Sequence, residues 1–554
     1  MPTDQVCRSV RRTRFSTRRL LPAACVGVAG LASVPASAGL DEALAQVSDD
    51  ADFVMVIPSM QAASDAVADL TEMFGGDEPE MLDLLGSFKR EMGFTAGLDD
   101  DGTAVIVITD MVEAIENDDE PTPLVLLPVS DYAAFVESIG GSGEGVSEVM
   151  LEGDEGFAKA VGDYALLGED RAAVEAYAAG DTGPAMLERV GSYGQSGADD
   201  ALIAGFIDVA AFRDALIAKI DEAIAEMAED AADDLADEPD LPIQPESVSG
   251  LIESYGDLMK TVLQGVDTAM FSATFDDDGL RGGYAWNVVE GSRLSTYLTG
   301  ERAGFQGLLD QMPASPYLAA FAIDTTAFDL GGLSTDLLDG VAVHIGDEPM
   351  FSGIVEMVRE SLGLYEQMNA GAQVLYAPDM AAMMGGGMMK TLSVYDVDDT
   401  DAALTAWREG MARMPGMIPA MIEQLPEDTR AEFPAIDFTF DWGENALNLG
   451  GTDVHQYDLK FVLPPEAMAQ MGPAAMMMGN AGTSGYIAAV NGKLVLTTVL
   501  DAQLMSQGIE AVKGGEGLGT SPVLQAARAD LPANAVMEGY ISLDGIANAA
   551  NPFL

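Results

Sequence analysis

"GFAKAVGDYALLGEDRAAVEAYAAG", Gly156–Gly180, and "GYIAAVNGKLVLTTVLDAQLMSQG", Gly485–Gly508, are two versions of one unit. Each reads as strand, two-residue turn, strand and then helix. Gly162-Asp163 and Asn491-Gly492 fall at the turn. Asn-Gly at such a place predicts a type I′ hairpin, whose two central residues both need positive φ.

Working outward, four further stretches match in the same order. "FVMVIPS" from Phe53 matches "LAAFAID" from Leu318. "AVIVITDM" ending at Met111 matches "QVLYAPDM" ending at Met380. "LVLLPVSDYAAF" from Leu124 matches "LSVYDVDDTDAAL" from Leu392. "ALIAGFIDVAAF" from Ala201 matches "AVMEGYISLDGI" from Ala535, with Gly205 against Gly539. Five ordered pairs point to an internal duplication.

The copies are unequal. The first repeat covers residues 39–212 and the second 313–554, with extra Met-rich material over roughly Met411–Ser484. Between them lies an added segment, 213–312. It opens with an amphipathic helix, in which Leu216, Ile220, Ile224 and Met227 share a face. "EDAADDLADEPDLPIQPE" follows as an acidic linker, then a helix over about Ser247–Gln264, then a hairpin about Asp277–Gly279. Tight two-residue turns do not belong to strict βαβ repeats. The expected class is therefore α+β: two related halves, each a mainly antiparallel sheet with helices on one face.

The chain has 554 residues, 91 acidic against 26 basic, and a formal net charge of −65. Such a surface repels phosphates and anionic lipid at long range, which argues against nucleic acid as a partner. It suits a saline medium outside the cytoplasm, with weak association of divalent cations as the sharper alternative. "CRSVRRTRFSTRRLLPAACVGVAGLASVPASA", Cys7–Ala38, has the basic, apolar and small-residue parts of a secretory signal, so cleavage is expected near Ala38. The apolar run Leu20–Val34 is short for a membrane span, and Thr17–Leu21 loosely resembles a twin-arginine signal. The expected location is periplasmic or secreted, with no transmembrane segment in the mature chain. Cys7 and Cys25 would leave with residues 1–38, which removes disulfides and thiol chemistry.

"DADFVMVIPSMQAASDAV", "PLVLLPVSDYAAFVESIGG" and "GTSPVLQAARADLPANAVMEGYISLDGI" resemble a family of exported bacterial proteins of unknown function, common in planctomycete-like bacteria. The shared cues are an opening strand, a strand ending in "PVSD" before a helix, and a late helix–"LP"–strand unit. The resemblance implies an extracytoplasmic protein and supplies no catalytic residue.

Thirty-two methionines are present, concentrated in "DMAAMMGGGMMK" (Met380, Met383, Met384, Met388, Met389) and in Met468, Met471, Met476, Met477 and Met478. Thioethers pack irregular gaps, line apolar binding surfaces, or bind Cu(I). Copper sites of this kind usually draw on nearby His, and only His344 and His455 exist. An apolar ligand surface is thus the functional reading of these methionines, beside ordinary packing; no metal site is assigned. Each His reads as a structural residue in a strand. "LDDDGT" (Leu98–Thr103) and "FDDDGL" (Phe275–Leu280) lack the closing Glu of a calcium loop and read as turns. Ser142, Ser196 and Ser484 complete no nucleophile motif, and no phosphate, dinucleotide or zinc pattern occurs. The expectation is a non-enzymatic binding or structural protein without cofactor. A carrier or docking surface for an apolar ligand is the first alternative and a hydrolase with a dispersed site the second.

Overall fold

The computed structural model describes residues 37–73, 82–237, 245–298, 307–345, 367–376, 390–423, 437–462, 482–529 and 536–546, apart from short gaps within these ranges. Two compact units emerge. One is built on residues up to Lys219 with Leu263–Val289, the other on Ile220–Val262 with Glu290–Leu554.

The first unit holds a nine-stranded sheet. Its strands are β1 (Phe53–Ile57), β2 (Ala104–Ile108), β3 (Leu124–Pro128), β4 (Ser147–Leu151), β5 (Asp154–Val161), β6 (Tyr164–Gly168), β7 (Ile203–Ile207), β8 (Val266–Asp276) and β9 (Gly279–Val288). They lie in the order β4-β5-β6-β3-β2-β1-β7-β8-β9, every pair antiparallel. The second unit holds eight: β10 (Tyr317–Asp324), β11 (Met368–Tyr376), β12 (Lys390–Val397), β13 (Asp437–Leu449), β14 (Thr452–Val462), β15 (Gly482–Val490), β16 (Lys493–Thr497) and β17 (Met537–Ile541). Their order is β13-β14-β15-β16-β12-β11-β10-β17, again antiparallel throughout.

Laid side by side, β4-β5-β6-β3-β2-β1-β7 corresponds to β14-β15-β16-β12-β11-β10-β17. The protein is α+β with two related halves, and the five matched stretches are strand-for-strand equivalents. The first copy adds β8 and β9 beyond β7, so the hairpin of the added segment extends the first sheet. The second copy adds β13 on the opposite side, while β14 holds the place of β4.

Register refines the match. Gly205 pairs with Met55, and Gly539 with Phe321. Met55 is therefore the counterpart of Phe321, one residue away from the equivalence read in the sequence. The β2 match moves by two residues, because Ile106 sits beside Met55 as Gln373 sits beside Phe321. The β3 match stands as read, since Ile106 pairs with Val125 and Gln373 with Ser393.

The turns explain themselves locally. Asn491 and Gly492 have φ of 50° and 79°, the two positive values a type I′ turn needs. In the first copy only Gly162 is left-handed, at 56°. Helix starts repeat as well. Asp131 caps the helix Tyr132–Ser138, accepting from the Ala134 N–H at 3.1 Å, and its counterpart Asp399 accepts from Asp401 and Ala402.

The helices used below are α1 (Ser37–Leu44), α2 (Met60–Met73), α3 (Leu84–Met92), α4 (Met111–Asn117), α5 (Tyr132–Ser138), α6 (Arg171–Ala176), α7 (Thr182–Arg189), α8 (Val209–Asp237), α9 (Pro245–Gly265), α10 (Leu330–Ile345), α11 (Thr400–Glu423), α12 (Ala502–Val512) and α13 (Pro522–Ala529). They cover both faces of each sheet, not one. In the first half, Val54, Val105, Leu126 and Phe206 share a buried cluster with Leu44 of α1, Val174 of α6 and Met186 of α7. The opposite face packs Leu127, Leu167 and Val149 against Met92 of α3 and Phe135 of α5. In the second half, Ala322, Val374, Val394 and Val495 meet Leu504 and Ile509 of α12, while Val397 and Leu494 meet Ala403 of α11. Strands buried on both faces read as unbroken apolar runs, and β6 is buried at every position.

His344 lies on α10, not in a strand. Asp329 starts that helix, its carboxylate accepting from the Gly332 N–H at 2.7 Å and its carbonyl from Leu333. Once nucleated, the helix runs through a segment of strand-like composition.

Candidate binding surfaces

The two methionine-rich connections leave from one end of the second sheet. β11 ends at Tyr376, opposite Lys390, where β12 begins. β14 ends just past Lys460, which pairs with Gly482, the first residue of β15. Only β16 separates β12 from β15. Two strand spacings put the connections about 10 Å apart at their roots. Met380, Met383, Met384, Met388, Met389, Met468, Met471, Met476, Met477 and Met478 themselves lie outside the described residues. At the equivalent end of the first sheet, β4 turns directly into β5 with Leu151 opposite Asp154, and the short helix α4 joins β2 to β3.

Along β10 and β17 the second sheet exposes apolar side chains, and Ile541 lies nearest that end. Phe321 on β10 is 48 % exposed, and Met537 and Ile541 on β17 are 62 % and 53 % exposed. Their register puts all three on one face, with Ile323 opposite Met537 and Ala319 opposite Ile541. A Cβ at Gly539 would lie 3.0 Å from the Phe321 ring, so this glycine lets the ring lie flat across β17. The first sheet uses the same device from the other side. The ring of Phe271 on β8 covers Gly205. There the exposed aromatics are Tyr284 and Trp286 of β9, at 74 % and 64 %. Neither patch is apparent from composition; the alternation in "GYAWNVV" is the available signal for the second.

The stretch Leu98–Thr103 behaves as a turn, while Asp277 and Asp278 of the second aspartate stretch lie outside the described residues. Asp99 donates its N–H to the Pro128 carbonyl at 3.0 Å and accepts from Gly102, while Asp100 takes the Lys89 ammonium at 2.8 Å on both oxygens. Asp276 pairs directly with Gly279. Among the described residues no three His, Cys, Asp or Glu side chains are grouped to hold a metal ion. His455 stacks on Trp442 with centroids 5.0 Å apart, and its Nδ1 accepts from the Asn445 N–H at 3.3 Å. Burial holds its pKa below the ordinary value.

Ser484 donates to Asp458 at 2.6 Å, and Lys460 meets the same carboxylate at 2.5 Å. Burial would raise the Asp458 pKa, but Lys460 and Ser484 outweigh it and hold it low. The carboxylate in turn raises Lys460, which stays protonated and is no base for the serine. Ser142 only meets Ser147, and Ser196 lies outside the described residues. An open cleft of about 560 Å³ on the first unit is lined by Lys89 and Arg90 against Asp83 and Asp100. Its charges balance, so it selects neither anion nor cation.

No helix among the described residues is long and apolar enough to cross a membrane. Comparison with known protein families, curated proteins and solved structures finds no match.

Proposed function

We propose that this is an exported, non-enzymatic binding protein whose second half docks an apolar ligand or the apolar face of a partner. The observation that carries the reading is the open patch of Phe321, Met537 and Ile541 on β10 and β17. Large apolar side chains grouped on an uncovered face mark a binding surface more often than scattered ones do. The patch reaches the sheet end from which residues 377–389 and 463–481 leave, both rich in methionine. Methionine-bearing surfaces adapt to ligands of varied shape. With a net charge of −65, the ligand is neutral or cationic, because an anion would be repelled on approach.

The test is binding of Nile red, an uncharged apolar dye, with native mass spectrometry of the exported protein for co-purified ligand. Met537→Ser with Ile541→Ser removes two exposed apolar side chains from the patch without touching the core. Binding should weaken by at least about tenfold, since each buried side chain contributes about 1.5–3 kcal/mol. Undiminished binding in the double variant, or no binding by the native chain, would count decisively against this reading.

A further inference from the structure

A second surface, on the first unit, carries an inference independent of that reading. β9 is the outermost strand of its sheet, paired on one side with β8 and with no described strand on the other. It runs ten residues, "GLRGGYAWNV", and none of them is acidic in a chain with 91 acidic residues. Exposed edges are normally blunted by a proline, a lysine, a bulge or an inward charge. From Thr268 to Gly279 the register with β8 is unbroken, and β9 contains neither proline nor lysine.

We infer that β9 is a homodimer edge, pairing antiparallel with β9 of a second copy so that two sheets join into one. Self-complementarity argues for this occupant. With a two-fold axis through Ala285, Tyr284 falls opposite Trp286 of the second copy, and Trp286 opposite its Tyr284. Both rings are exposed and on the same face, so two aromatic cross-strand pairs form at once. The other face needs no change, because Ala285 already packs against the core. Charge does not oppose it: β9 carries no acidic residue, so no row of carboxylates meets another. Elsewhere two chains of −65 repel, so pairing needs salt. A single strand pair is at the small end of interfaces, which makes the dimer a weak one.

The test is sedimentation or light scattering across a wide concentration series in ~1 M monovalent salt, where the Debye length is about 3 Å. The native chain should double in mass as concentration rises, with amide hydrogens of β9 becoming protected. Tyr284→Lys with Trp286→Lys should remain monomeric with an unchanged melting temperature, since both side chains stand in solvent. A native chain that stays monomeric overturns the inference. So does a dimer that survives the double substitution, or one that leaves β9 unprotected; either would place the contact elsewhere.

Discussion

Arg528 forks onto Glu538. Its Nε donates to one carboxylate oxygen at 3.0 Å and an Nη to the other at 2.6 Å. Tyr540 donates to the same carboxylate at 2.9 Å, and Asp310 takes the remaining arm of the guanidinium. Arg528 stands in the last turn of α13 and Glu538 on β17, so the fork ties the helix to the strand that follows it. The first half does the same. Arg189, in the last turn of α7, holds both oxygens of Asp208 just past β7 at 2.6 and 3.0 Å, and also reaches Asp267.

The two forks should not cost the same to break. Glu538 is buried, so Arg528→Met leaves a carboxylate without its cation, at about 3–5 kcal/mol. Asp208 and Asp267 keep contact with water, so Arg189→Met should cost about 1–2 kcal/mol. Arg528→Met with Glu538→Met should recover most of the loss. Urea unfolding measures all three; equal and small effects would show that the forks are decorative.

The paired glycines make a sharper comparison. A methyl at Gly205 would run into the Phe271 ring, which lies between β7 and β9. At Gly539 the nearest ring atom is 3.0 Å away, and Phe321 is half exposed and can swing aside. Gly205→Ala should therefore cost about 1–3 kcal/mol by overpacking, and Gly539→Ala less. Adding Phe271→Ala to Gly205→Ala should relieve the clash. Melting curves that rank the two single substitutions the other way would refute the ring-over-glycine account.

How much of this is legible in the sequence follows from which residues carry the signal. Asn491-Gly492 has almost one conformation open to it in a hairpin, so turn, strands and helix around it can be read directly. Phe53–Ile57 cannot be placed to the residue. Val54, Met55 and Val56 are all buried, so no alternation marks which face is which, and the match to β10 slips by one. The same lack of alternation hides the helices on the second face. Arg528 and Glu538 sit in the late helix–"LP"–strand unit, but a fork across a loop has no fixed spacing to recognise. His344 reads as a strand residue because the β-branched residues around it outweigh the Asp329 cap ahead of them. The methionine segments are conspicuous, and what the sheet adds is that their roots share one end.

Acid should act on two aspartates in opposite senses. Asp501 caps α12 by accepting from Gln503 and Leu504 and pairs with Lys390 at 3.0 Å. Burial would raise its pKa, but the Leu504 N–H and Lys390 outweigh it, so it lies below the ordinary 3.8. Its contribution is present above about pH 4 and lost as pH falls through the lowered value. Asp52 is raised, chiefly by burial and despite the Met111 N–H it accepts. Its contribution is full below 3.8 and lost as pH rises through the raised value. Asp501→Asn should thus flatten the fall in stability below about pH 4, and Asp52→Asn should stabilise the neutral protein. Denaturant midpoints measured across the acid range decide both.

Monovalent salt should raise the melting temperature. The competing effects are screening of repulsion among 91 acidic side chains, which stabilises, and screening of ion pairs, which destabilises. Exposed pairs such as Arg171–Glu175 stand in solvent and contribute little, so little is lost with them. The buried Arg528–Glu538 fork is screened far less. Repulsion at a net charge of −65 therefore dominates, and the rise should continue as the Debye length shrinks from about 10 Å at 0.1 M to about 3 Å at 1 M. Sodium and potassium should act alike. A flat or falling melting temperature over that range would mean that the carboxylates are too dispersed for their repulsion to matter. A response confined to low divalent concentration would instead point to discrete cation sites.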